Sequence, residues 1–180
     1  MVEKERRKRL AYHMRQLSVG TISNDSFESD ILDDVSHCWL PEHYYRSTYA
    51  KIDDPIIVPI LEVCWGLYDD TRNHKLKGPD KLSTESLKVI ARCILFLHTE
   101  LEYEWPVFDT KSPIFSFSLM DFLVCLLTLG QNFRNKRKAQ FIAYEAFKKT
   151  GDFDFWPFYR RSDYDNHLTK QPFLSKHPAD

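Results

Sequence analysis

The chain has 180 residues, 43% hydrophobic and 28% charged, with 25 Lys+Arg against 26 Asp+Glu. That length suits one domain burying about 70% of the surface its unfolded chain exposes, and the balanced charge supplies no global field toward nucleic acid or membrane. Five glycines and few β-branched runs argue against a sandwich, a barrel or a phosphate-cradling loop. The expectation is therefore all-α: a single compact domain of six or seven helices with an irregular, aromatic-rich C-terminal segment.

The opening stretch MVEKERRKRLAYHMRQL has no apolar core segment and does not read as a secretory signal. Residues 3–19 predict a helix with Leu10, Met14 and Leu17 on one face, a basic opposite side, and Gly20 as its stop. Ser23-Asn24-Asp25-Ser26 offers N-caps for a second amphipathic helix carrying Phe27, Ile31, Leu32 and Val35. Residues 1–15 hold six basic and two acidic side chains, and residues 20–55 hold eight acidic and two basic ones. Opposite signs suggest that the two helices lie against each other as a hairpin over 3–37.

After a Tyr/His-rich segment from Trp39 to Tyr49, Asp53-Asp54-Pro55 opens a helix over 55–72. Pro59 would lose an internal hydrogen bond if the helix began at Pro55, which leaves the start open between the two prolines. Ile60, Leu61, Val63, Cys64, Leu67 and Tyr68 cover most of its circumference, so it is expected at the centre. A loop from Asn73 to Leu82 follows, and Ser83 or Thr84 caps a helix over 84–101. Its apolar positions Leu87, Ile90, Ala91, Ile94, Leu97 and Leu101 keep the helical period, and Glu85, Lys88, Arg92 and Thr99 form the polar stripe. A third apolar helix is expected over 118–130 and a basic one over 133–149. The tail 152–180 reads as irregular apart from a turn of helix near 162–169, with Phe153, Phe155, Trp156 and Phe158 packed back over the core.

Beyond Thr99 the period changes. Leu101, Tyr103 and Trp105 alternate with Glu100, Glu102 and Glu104, and three carboxylates in a last helical turn would oppose its dipole by about 0.3–1 kcal/mol each. The helix should end near residues 99–103, with the aromatics inward and at least two glutamates in solvent or on a basic partner such as Arg160 or Arg161. His98 projects onto the face of Leu87, Ala91 and Ile94, so it is expected to be a buried, hydrogen-bonded residue.

Assembled chemical motifs are missing. Neither the paired Glu-x-x-His motifs of carboxylate-bridged bundles nor H-E-x-x-H occurs, so no metal and no cofactor are expected. There is no G-x-S-x-G elbow. Cys38, Cys64, Cys93 and Cys125 are widely spaced, and the last three sit in apolar helical patterns. They read as unpaired thiols of a reducing cytoplasm.

The leading expectation is a non-enzymatic protein-interaction module, an adaptor or an immunity-like inhibitor of a partner protein. Trp39, Tyr44, Tyr45, Trp156, Tyr159, Arg160 and Arg161 are its candidate contact residues, being of the types that dominate binding hot spots. The acidic segment 20–55 would face a basic partner, for instance a nuclease that must be blocked. The alternative is a small metal-dependent hydrolase or nucleic-acid-processing enzyme using His98 and Glu102 with Asp69, Asp70 and His74. Another protein is the expected partner, with nucleic acid second through the basic faces of 4–15 and 134–149. A membrane is not expected, because the longest apolar run, Ile114 to Gly130, contains Asp121 and is short for a span.

Overall fold

Helix α1, Lys4–Ser18, buries Leu10, Met14 and Leu17 as their spacing predicts. It stops where Gly20 takes φ +67°: the Gly20 and Thr21 amides return to the carbonyls of Leu17 and Gln16, the Schellman arrangement. A side chain at Gly20 would in addition collide with Lys77 and with the Leu76 carbonyl. The computed structural model describes residues 2–36, 53–105 and 152–170, together with Gln131, Arg134, Asn135, Lys138, Phe141, Ile142, Glu145, Lys148 and Lys149. The apolar helix expected over 118–130, residues 37–52, and Cys38 and Cys125 lie outside them.

The described residues are mostly helical and contain no strand. Helix α2 is Asn24–Asp34, α3 Ile57–Trp65, α4 Thr84–Leu97 and α5 Arg161–Lys170, with short 3-10 turns at Gly78–Asp80 and Phe153–Phe155. The chain divides into two compact units, Met1–Tyr103 with Asp154–Asp180, and Glu104–Phe153.

Caps and prolines set the boundaries. The Ser23 hydroxyl accepts from the Ser26 amide at 3.4 Å, and the Ser83 hydroxyl accepts from the Ser86 amide at 3.0 Å, each removing one orphan N–H of a first turn. Helix α3 begins at Ile57, between the two prolines, so Pro59 is its third residue and its missing N–H would have had no helical acceptor. The helix expected over 55–72 ends at Trp65, because Gly66 caps it and Asp69 then turns the chain by accepting from the Thr71 amide and hydroxyl, at 3.0 and 2.6 Å. Asn24 fixes the following loop against α2. Its amide group donates to the Arg72 carbonyl at 3.0 Å and accepts from the His74 amide at 2.7 Å, while its backbone N–H meets the His74 carbonyl at 3.1 Å.

The centre of the first unit is α1, not the apolar α3. Helix α1 packs against α2, α3 and α4, and α4 in turn packs against α5. Its burial runs through charge. Arg7 is fully buried and lies over the Phe96 ring, 5.2 Å from the centroid. Its Nε and Nη2 hold the two oxygens of the equally buried Asp54 at 2.6 and 3.0 Å, and its Nη1 reaches the carbonyls of Leu101 and Thr99 at 2.8 and 3.2 Å. Asp54 also accepts the Glu3 and Ile56 amides, at 3.0 and 3.4 Å. Arg6 pairs with Asp53 at 3.0 Å and donates to the Val35 carbonyl. Asp53-Asp54 is thus a helix-opening turn and the counter-charge of Arg6-Arg7 at once. The expected basic face of α1 accordingly lacks two of its cations.

The hairpin of α1 and α2 forms as expected, with His13 Nε2 2.9 Å from Asp34 and the Arg9 Nε donating to the Asp34 carbonyl at 2.9 Å. One apolar residue departs from its expected face: Phe27, Ile31 and Val35 are buried, but Leu32 is 46% exposed. A single residue step rotates by about 100° on a helix, carrying Leu32 off the stripe that Ile31 occupies.

Cys64 and Cys93 are buried, unpaired thiols. Desolvation pushes both well up, Cys93 to about 12. A maleimide or disulfide reagent should therefore label neither in the native protein at mildly alkaline pH, and both on unfolding. Fast native labelling of Cys93 would mean that α4 is not internal.

Candidate functional site

The acid and histidine side chains expected to form a catalytic set come apart. His98 is the C-cap of α4 and is exposed, which corrects the expected buried, hydrogen-bonded residue. Of the stripe it extends, Ile94 is buried but Leu87 and Ala91 are only half-buried, while Ile90, Cys93 and Leu97 form the inward face. Its ring lies within the fields of Lys8 and Arg15 from α1. Partial desolvation first, then these two cations, lower its pKa. Its neutral form is thus favoured in the fold. This contribution is complete above the ordinary imidazole range and declines as pH falls through that range toward the depressed native value. In an NMR titration His98 should protonate at lower pH than a free histidine, and His98→Ala should change stability by no more than about 0.5 kcal/mol. A loss of several times that amount would restore the buried reading.

Past His98 the alternation holds. Glu100, Glu102 and Glu104 are exposed, whereas Leu101, Tyr103 and Trp105 are half-buried. Glu100 meets Lys4, not Arg160 or Arg161, and the Lys4 hydrogen bond and charge hold its carboxyl below the usual range.

Asp69, Asp70 and His74 lie in the loop after α3. Asp69 and His74 line an open cavity of about 330 Å³ with Tyr68, Asp80, Lys81 and Ser83; Asp70, His98 and Glu102 do not line it. The cavity's carboxylates, Tyr68 and His74 are already engaged. Asp69 is lowered chiefly by the Thr71 hydroxyl, Asp80 by Arg72, and the Tyr68 hydroxyl donates to Glu28 at 2.9 Å and is raised by burial and that bond. His74 Nδ1 is 3.0 Å from the Arg72 carbonyl. Among the described residues no group of three or more His, Cys, Asp or Glu could hold a metal ion.

Compared with known proteins, the chain matches no family model, no curated protein and no solved structure. The functional reading therefore rests on its own surfaces.

The candidate contact residues divide similarly. Trp39, Tyr44 and Tyr45 lie outside the described residues. Trp156 is half-buried, donating Nε1–H to the Tyr103 hydroxyl at 3.0 Å, while its carbonyl accepts from Arg92 at 3.3 Å. It is engaged in fastening the tail to α4. Tyr159 is half-buried with Arg160 near its ring, and the exposed Arg161 lies over Phe155 and 3.4 Å from Asp165. Helix α2 presents a solvent face of one charge sign. It carries Asp25, Glu28, Asp30, Asp33 and Asp34 without a Lys or Arg, and Asp25, Ser29, Leu32 and Asp33 face solvent. Among the described residues no helix is long and apolar enough to cross a membrane.

Proposed function

We propose that the protein is a non-enzymatic protein-interaction module that docks a basic partner on α2, in the manner of an adaptor or inhibitor. The observation that carries this reading is the solvent face of α2, where Leu32, 46% exposed, stands among Asp25, Ser29 and Asp33. An apolar anchor ringed by one sign of charge fits a docking surface: the anchor supplies desolvated contact, and the carboxylates steer a cationic partner and reject acidic ones. The alternative enzyme receives less support, since its five residues do not line one cavity and the carboxylates that do are occupied by Arg72 and Thr71.

The reading is tested by affinity capture from the native host with the wild-type protein and with an Asp25→Lys/Asp33→Lys variant. Both positions are exposed, so the variant should fold. A stoichiometric basic polypeptide should be retained by the wild type, released by added salt, and lost from the variant. Equal capture by both proteins would remove α2 from the reading.

A further inference from the structure

Every described residue between 131 and 149 is helical, and their spacing marks a single face. That face is exposed and contains Arg134, Lys138, Lys148 and Lys149, with Phe141 62% and Ile142 57% exposed at its middle. Two adjacent bulky apolar side chains in water, bordered by four cations, form an unpartnered surface. Projected at about 100° per residue, Phe141 and Ile142 lie on either side of a line through Lys138 and Glu145. That arrangement decides what can cover them. An interfacial membrane helix separates its apolar face from its charges, whereas burying Phe141 and Ile142 in lipid would bury Lys138 and Glu145 too. A phosphate backbone would answer the cations but offer nothing to the apolar pair, and Glu145 would repel it.

The occupant that fits is an acidic helix with an apolar residue on its exposed face. The chain itself carries such a helix: α2, with Asp25 and Asp33 beside Leu32 and no basic residue along its length. We propose that the 131–149 face of one copy docks α2 of a second copy, with Leu32 set against Phe141 and Ile142, and Asp25 and Asp33 among Arg134, Lys138 and Lys149. This deepens the reading of α2 as a docking face by naming a basic partner for it. The two surfaces differ, so each contact joins unlike faces of the two copies.

Sedimentation of the purified full chain tests it. At low ionic strength the mass should rise with concentration above that of the monomer, and it should return to the monomer in about 1 M salt, where the Debye length is about 3 Å. Phe141→Asp, Lys138→Glu/Lys149→Glu and Asp25→Lys/Asp33→Lys should each leave a folded monomer, every changed residue being exposed. The last two variants carry reversed faces, so mixing them should restore the association that neither shows alone. A wild type that stays monomeric, association indifferent to these changes, or a monomer that co-sediments with phosphatidylserine vesicles or RNA through Phe141 would overturn the proposal. A wild type that stays monomeric yet captures a foreign basic polypeptide through α2 would sink the self-docking alone and leave the reading of α2 standing.

Discussion

Arg7→Ala should lower stability by about 3–5 kcal/mol, the cost of leaving one member of a buried ion pair without its partner. Asp54 would remain fully buried with only the Glu3 and Ile56 amides to hold it, and the Thr99 and Leu101 carbonyls would lose their shared donor. Against a total of about 5–15 kcal/mol for a typical domain, that loss is a large fraction of the stability. A double-mutant cycle of Arg7→Met and Asp54→Leu, each alone and together, separates the terms. The double variant Arg7→Met/Asp54→Leu should recover part of the loss, because removing both charges removes the desolvation problem. It should not recover all of it, because methionine cannot donate to the two carbonyls. Chemical denaturation of the four proteins reads this directly. An Arg7→Ala protein within about 1 kcal/mol of the wild type would show the pair to be solvated.

The same pair shows where sequence reading succeeded and where it did not. Leu10, Met14 and Leu17 announce the buried face of α1, and Gly20, Ser23 and Ser83 announce helix ends, because each acts within one or two turns of itself. Arg7 continues that stripe at three-residue spacing from Leu10, a signal that an arginine stood on the core face. What could not be read was its counter-charge, 47 positions away at Asp54. Local pattern assigns Asp53-Asp54 to capping, and only the packed chain gives it a second task. His98 departs for the related reason that a helical projection gives the angle of a side chain but not whether another element covers it, and here His98 stays exposed. The candidate catalytic set failed further back, since its members rest on elements whose spatial order sequence spacing does not encode. The exposed faces of α2 and of 131–149 are legible as charge but not as exposure: Leu32 looks like core until Ile31 is seen to take that place.

Truncation after Gly151 should prevent the first unit from folding stably. Phe158 is fully buried against the Phe96 ring, 5.1 Å between centroids, and Tyr164 and His167 of α5 close over it at 5.6 and 6.2 Å. The segment from Trp156 through α5 is therefore a wall of the core laid against α4, held further by Trp156 on the Tyr103 hydroxyl and by Arg92 on the Trp156 carbonyl, whereas Phe153 is exposed. Phe158→Ala alone should cost about 3–5 kcal/mol, the usual loss for emptying a buried aromatic site. Removing the whole segment also uncovers Phe96 and neighbouring parts of α4, which water cannot compensate. The expected outcome is a truncated chain that is insoluble, or that melts without a cooperative transition. Truncation after Lys170, which keeps α5 and Phe158, should retain the transition. A chain ending at Gly151 that melts cooperatively at the wild-type temperature would show that α4 carries its core without the tail, and would return Trp156 and Tyr159 to the set of free contact residues.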